Sequence, residues 1–166
     1  ISAPLQAGGD LELYAKGALN TLNELATLTA GMNVALQTCK GDIELFGAIT
    51  AGVGYTPCNS KHWCCWHQER PDVVINSGGA ARLHGAVTSP DDVIISAWGD
   101  IEVRGTIAAY DEIRLASWDD IELLPGSLLT GLLGKKAQRV SLIARDQVTL
   151  QGTINAQKLI VIPRAR

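Results

Sequence analysis

A repeat with a period of about 20 residues constrains the fold of this chain more than any other feature. Three segments align without gaps and begin at Val73, Val93 and Ile113, one period apart each time. A fourth copy begins at Val140, later than one further period would place it, which indicates an insertion near Leu129–Lys136. Because one such unit cannot bury its own apolar face, a period of this length predicts a stack of coils.

The stretch Val93–Leu115 shows what one coil contains. Apolar and polar residues alternate through Ile101–Arg104, which is the periodicity of a strand rather than of a helix. We predict strands at Val93–Ile95, Ile101–Val103 and Thr106–Ala108. A sandwich of antiparallel hairpins is the alternative, but the Asn-Gly turns typical of hairpins are absent.

The repeat also predicts which residues are neighbours in space. Equivalent residues of adjacent parallel strands lie about 4.8 Å apart, so inward-facing residues should form ladders. We expect one ladder of Ile75, Ile95, Leu115 and Leu142, and a second of Leu83, Val103, Leu123 and Leu150. Glycine recurs before the third strand, at Gly85, Gly105 and Gly152, and we attribute it to corners that need positive φ.

The prediction for the whole chain is an all-β, single-domain parallel β-helix, residues 1–166, with this repeat as its coil and a Cys-rich loop inserted at 52–71. Gly41–Ala51 matches Gly99–Ala109 at most positions, so the unit recurs in the N-terminal half. There, Leu5–Leu19 matches the second half of a coil. Ala18–Thr29 is ambiguous, because its apolar residues could also share one face of a short helix.

The motif GDIEVRGTIAAYDEIRLA at Gly99–Ala116 resembles the repeats of filamentous-haemagglutinin-type secreted proteins. Those are large bacterial exoproteins whose shafts are right-handed parallel β-helices used in adhesion and surface attachment. The resemblance covers most of Val73–Val161 together with Gly41–Ala51. It implies a right-handed β-helix in a secreted or cell-surface bacterial protein, whose partners are surface glycans or a host or cell-surface receptor.

Composition and charge argue against two other classes of partner. The net charge is −3 and Lys and Arg form no run, so we expect no nucleic-acid partner. No apolar segment approaches the ~20 residues that a membrane-spanning helix needs. The chain starts at Ile1 without a methionine, which suggests a processed or excised product.

The inserted loop concentrates cysteine and tryptophan. The disulfide candidates are Cys39, Cys58, Cys64 and Cys65. Because a bond between neighbours is strained, we expect Cys64 and Cys65 each to pair with one of the other two. A metal site that also uses His62 and His67 stays open as the alternative. Trp63 and Trp66 flank the cysteines and would form either a local core or an exposed contact surface.

A second pair of tryptophans lies in the repeat itself. Trp98 and Trp118 occupy equivalent corners, and Arg145 follows in the next aligned coil. Stacking with a cation–π contact would shield this corner. The same residues would alternatively form a platform for sugar rings, which makes a glycan-binding module a second hypothesis for function.

The sequence offers no catalytic motif. Gly-rich phosphate loops and a G-x-S-x-G nucleophile are absent, and His84 stands alone on an outward position. Asp100 and Asp120 stack, with Asp10 and Asp42 at matching places, and such corner aspartates commonly accept backbone hydrogen bonds rather than calcium. We therefore predict no catalytic residue, cofactor or metal. A carbohydrate-active β-helix is the alternative, and it would need a cleft lined by Asp100, Asp120 and Arg145.

The ends of the predicted solenoid suggest a specific function. Ile1–Leu5 begins part-way through a strand, and Leu159, Ile160, Val161 and Ile162 form an apolar strand at the other end. Unpaired strand edges invite association, and a head-to-tail contact that does not close produces a fibre. We predict a non-catalytic structural or adhesive protein that polymerises end to end outside the cell. A fragment of a longer haemagglutinin-like chain is the alternative.

Overall fold

The structure is a computed structural model that describes residues 1–54 and 70–163. Within these residues the chain forms twenty short strands joined by tight corners. In order, they are β1 (Leu5–Ala7), β2 (Leu11–Ala15), β3 (Leu19–Asn20), β4 (Leu28–Ala30), β5 (Val34–Thr38), β6 (Ile43–Leu45), β7 (Ile49–Thr50), β8 (Val73–Ser77), β9 (Ala81–Leu83), β10 (Val87–Ser89), β11 (Val93–Ala97), β12 (Ile101–Val103), β13 (Thr106–Ala109), β14 (Glu112–Ser117), β15 (Ile121–Leu123), β16 (Leu128–Thr130), β17 (Ala137–Ala144), β18 (Val148–Leu150), β19 (Thr153–Ile154) and β20 (Ala156–Pro163).

Every strand pairing is parallel, and the strands form three sheets that run along the faces of a solenoid. The first sheet has the order β1-β4-β7-β10-β13-β16-β19 and the second β2-β5-β8-β11-β14-β17-β20. The third has the order β3-β6-β9-β12-β15-β18. Each coil thus adds one strand to each sheet in turn, which confirms the predicted all-β parallel solenoid.

The register between coils follows the sequence period. Val93 pairs with Val73 on one side and with Ile113 on the other, so the offset along the chain is the same in both directions. Ile113 pairs with Val140 across a longer offset, and the extra residues form a corner with one 3-10 turn at Leu132–Gly134. The added residues lie outside the sheets, so the pairing on both sides is preserved.

Seven apolar residues form one ladder through the centre of the second sheet. They are Leu13, Leu36, Ile75, Ile95, Leu115, Leu142 and Val161, each paired in register with the next. The members from Leu36 to Leu142 are buried, as predicted for four of them. The second predicted ladder is also in register, but Leu150 is 44% exposed because β18 lies at the edge of the third sheet.

The recurrent glycines serve a different purpose from the one predicted. Gly85 and Gly105 do not have positive φ, whereas Gly126 at the Pro-Gly corner does, at 88°. A Cβ on Gly105 would collide with the carbonyl oxygen of Gly85, and a Cβ on Gly85 with that of Gly47. Glycine is required at this corner because successive coils approach backbone to backbone.

The N-terminal register differs from the prediction by one sheet. Leu11–Ala15 pairs with Val34–Thr38 in the second sheet and therefore belongs to the first half of a coil, not the second. The ambiguous Ala18–Thr29 contains β3 and the start of β4 and no helix. There the Asn23 side-chain oxygen accepts hydrogen bonds from the amides of Leu25 and Ala26, which closes a turn.

The corner glycines lead to a test of the stacking. Gly105→Ala should destabilise the protein by about 1–3 kcal/mol, because the new methyl group collides with rigid backbone. Urea denaturation measures this change. Gly17→Ala is the matched control, since a Cβ there meets nothing within 4 Å. Equal stabilities of the two variants would contradict the close approach of the coils.

Candidate functional site

One concave surface beside the second sheet is an open groove of about 730 Å³, which we call the tryptophan groove. Its lining residues come from four consecutive coils. They are Asn76, Ser77, Ser96, Ala97, Trp98, Arg114, Ala116, Ser117, Trp118, Ile143 and Arg145. The groove therefore includes two of the four tryptophans considered above, together with the arginine that follows them.

Strand periodicity shapes the floor of the tryptophan groove. Ser96 pairs with Asn76 on one side and with Ala116 on the other, and Ala116 pairs with Ile143. These positions alternate with buried ladder residues and so face outward. The short side chains of Ser96 and Ala116 leave a low floor between longer neighbours, which creates the concave surface.

The two tryptophans form one wall. The indole rings of Trp98 and Trp118 stack with a centroid distance of 4.9 Å and an interplanar angle of 5°. Their side chains nevertheless remain 66% and 48% exposed. The position equivalent to Trp98 in the preceding coil is Gly78, which has no side chain that could cover the stack. An exposed aromatic surface of this kind is available for contact with a planar or ring-shaped group.

Arg145 does not form the predicted cation–π contact with the tryptophans. The only such contact among residues 1–54 and 70–163 places Arg70 over the ring of Tyr110. Arg145 and Arg114 line the groove without an ion pair to any described carboxylate, and no described acidic residue lines it. The groove thus combines two stacked indoles with two guanidinium groups that form no ion pair with a described residue.

The corner aspartates behave as predicted and accept hydrogen bonds from backbone amides. Oδ1 of Asp42 accepts from the amide of Ala80 at 2.9 Å, and Oδ1 of Asp100 from that of Asp120 at 3.1 Å. Asp120 in turn accepts from the amide of Gln147 at 2.8 Å. Each carboxylate links its own coil to the next.

Asp10 lies at a different corner from the one predicted. It lies just before β2, in a column of residues that occupy equivalent positions just before or near the start of the strands of the second sheet, which we call the corner column. The column comprises Asp10, Asn33, Asp72, Asp92, Glu112, Arg139 and Lys158. Side-chain oxygens of its first four members each accept a hydrogen bond from the amide of the next. The column changes from acidic in the first coils to basic in the last two.

One member of this column, Asp92, belongs to a group of three carboxylates. The oxygens of Asp91, Asp92 and Asp111 lie within 4.8 Å of one another, and Arg70 lies 3.5 Å from Asp91. Burial raises the pKa of Asp91 and of Asp92, and the charge of Asp111 raises both pKa values further. The group concentrates negative charge at the corner before β11 and β14.

The cleft that the carbohydrate-active alternative would need does not form at the tryptophan groove. Arg145 lines the tryptophan groove, but Asp100 and Asp120 do not. His84 does not stand alone, because its ring stacks on Phe46 with a centroid distance of 4.3 Å and its Nε2 lies 3.3 Å from Glu44.

The cysteine-rich loop lies largely outside the described residues. Cys58, Cys64, Cys65, Trp63 and Trp66 all belong to that part of the chain, so the predicted disulfides and contact surface stay predictions. The described part of the chain shows Cys39 as an exposed thiol that is not in a disulfide, and its Sγ lies 2.6 Å from the hydroxyl of Tyr14. This hydrogen bond raises the pKa of Tyr14.

The end strands expose the apolar residues named above. In β20, Leu159 and Val161 pair with the inward-facing residues Val140 and Leu142. They are nevertheless 48% and 39% exposed. At the opposite end, Ile1 and Leu5 pack only partly buried against the core, and the Ile1 amino group donates to the carbonyl of Asn20 at 2.7 Å. Both ends of the described solenoid therefore present core-type surface.

Comparison with protein families, curated proteins and solved structures finds no match to this chain. The resemblance to filamentous-haemagglutinin-type repeats therefore stays a prediction beyond the solenoid fold itself. No helix in the described part of the chain has the length and hydropathy needed to cross a membrane.

The pKa of Asp92 is raised and that of Asp42 is lowered, so replacing each carboxylate by an amide should change the stability of the protein in opposite directions. At pH 7, Asp92→Asn should stabilise the protein by about 0.5 kcal/mol, because it removes a like charge but keeps an oxygen for the Glu112 amide. A carboxyl whose folded-state pKa is raised contributes stability below its unfolded pKa and loses it as the pH rises through the folded pKa. The advantage of Asp92→Asn should therefore disappear on acidification.

Asp42→Asn is the comparison variant. The guanidinium of Arg82, 2.8 Å away, lowers the pKa of Asp42. The carboxylate therefore stabilises the folded state at any pH above its unfolded pKa, and this contribution is lost as the pH falls through its folded pKa. The variant should be less stable at pH 7 by about 0.5 kcal/mol, and the deficit should shrink in acid. Urea denaturation from pH 3 to 7 measures both differences. The same sign for both variants would contradict these assignments.

Proposed function

We propose that this protein is a non-catalytic structural subunit that stacks end to end with further copies into a filament outside the cell. The observation that carries the proposal is the central ladder of the second sheet. It runs in register from Leu13 to Val161, and its last member is inward-facing by register yet 39% exposed. A further coil placed on β20 would bury this residue, as each coil buries the ladder residue of its neighbour.

The first coil of a second copy has the geometry needed for that role. β2 and β20 belong to the same parallel sheet and lie at its two opposite edges. If β2 of one copy pairs with β20 of another in parallel, Leu13 follows Val161 and Leu11 follows Leu159. Such a contact is heterologous, so it leaves an identical free edge for the next copy and generates a fibre.

The corner column supports the same direction of stacking. Its last member, Lys158, would then lie beside Asp10 of the next copy, the first member of the column. Opposite charges that meet across a junction favour that register and disfavour the antiparallel meeting of two like ends. An extracellular location is part of the proposal, and its support is the resemblance of Gly99–Ala116 to secreted repeats.

Val161→Lys tests the junction. Sedimentation velocity and negative-stain electron microscopy at increasing protein concentration should show filaments for the wild type. The variant should need at least about tenfold more protein to assemble, because it places a charge between two apolar coils. Wild-type protein that stays monomeric at high concentration would refute the proposal.

Two further variants sharpen this test. Ile162→Lys is the matched control, because Ile162 lies on the same strand and is 45% exposed but pairs with the outward-facing Ile143. It should assemble nearly as the wild type does. Lys158→Glu should weaken assembly mainly at low salt, since screening reduces the repulsion of Asp10. Equal effects of Val161→Lys and Ile162→Lys would indicate lateral association instead.

A further inference from the structure

We infer that the tryptophan groove binds an acidic oligosaccharide, with a sugar ring against the indoles and a carboxylate on the arginines. The groove lies on the side of the solenoid, on the outer surface of the second sheet, and not at its ends. The inference therefore does not rest on filament formation, and a monomeric protein would bind equally well.

The stacked indoles provide the surface for a sugar ring. One side of the Trp98–Trp118 stack adjoins Gly78, where the preceding coil has no side chain. The C–H groups of a pyranose ring pack favourably on an aromatic face, which carries partial negative charge. The polar side chains of Asn76 and Ser96 on the adjoining floor offer hydrogen bonds to ring hydroxyl groups.

The charge of the groove selects an acidic ligand over a neutral one. The protein carries a net charge of −3, yet the described lining contains two arginines and no carboxylate. Arg114 lies in β14, and Arg145 follows β17, the next strand of the same sheet. A guanidinium pairs with a planar carboxylate through two parallel hydrogen bonds, and neither arginine has such a partner among the described residues.

The same chemistry disfavours nucleic acid. A nucleic-acid strand carries a phosphate at every nucleotide and needs a longer track of cations than two arginines supply. The acidic groups around Asp91 and Asp111, on the same solenoid, would also repel a polyanion of that charge density. An oligosaccharide with spaced carboxylates fits the groove without this repulsion.

Isothermal titration calorimetry with a hyaluronan oligosaccharide, which carries a carboxylate on every second sugar, tests the inference. The same oligosaccharide with its carboxylates methyl-esterified keeps the sugar rings but loses the charge, and it should bind at least about tenfold more weakly. Trp98→Ala and Arg145→Gln should each reduce the affinity for the charged form by about tenfold or more. Thermal melting of both variants checks that they remain folded.

Arg104→Gln serves as the matched control. Arg104 is an exposed arginine that follows β12 in the third sheet and pairs with Glu102 at 2.6 Å, so its removal should leave binding unchanged. Loss of binding confined to the two groove variants would support the inference. No measurable binding, equal binding of the ester, equal binding of a single-stranded oligonucleotide, or wild-type affinity in both groove variants would overturn it.

Discussion

Parallel pairing between successive coils is the interaction on which the rest of this structure depends. Strands of one coil pair with the equivalent strands of the neighbouring coils, so residues within the strands have counterparts one coil away. The constraint is severe at the corners, where Gly47, Gly85 and Gly105 lie backbone to backbone. It is relaxed where insertions leave the sheets, as at Leu132–Gly134. Columns of side chains along the axis follow directly from this geometry.

The columns differ in what they contribute. The central ladder removes apolar surface from water, and the corner column satisfies backbone amides with side-chain oxygens of the adjoining coil. The corner column also changes from acidic to basic along the axis. A solenoid with such a gradient has two chemically different ends, which gives end-to-end association a direction.

The proposed filament and the proposed glycan site use different parts of one scaffold. The filament uses strand edges, where the repeat continues from copy to copy. The tryptophan groove uses outward-facing strand positions. Because these side chains do not pack in the core, many residue types fit there. There, small residues at Ser96 and Ala116 beside Trp98 and Trp118 make a concave surface. Stacking the subunits would repeat that groove along a fibre, so binding to a polymeric glycan would gain from multivalency.

The sequence by itself determined the coil, because alternation and a constant repeat period specify which side chains face inward and which residues stack. It placed Ile75, Ile95, Leu115 and Leu142 in one ladder correctly. Only the tertiary structure decided the sheet to which Leu11–Ala15 belongs. The alternation of apolar and polar residues is the same in the strands of all three sheets, so it does not tell them apart. The tertiary structure also showed that the corner glycines are required by close backbone contact between coils and not by positive φ. Arg114 was likewise found to line the groove together with Arg145. Those facts depend on distances between coils, which a one-dimensional pattern does not contain.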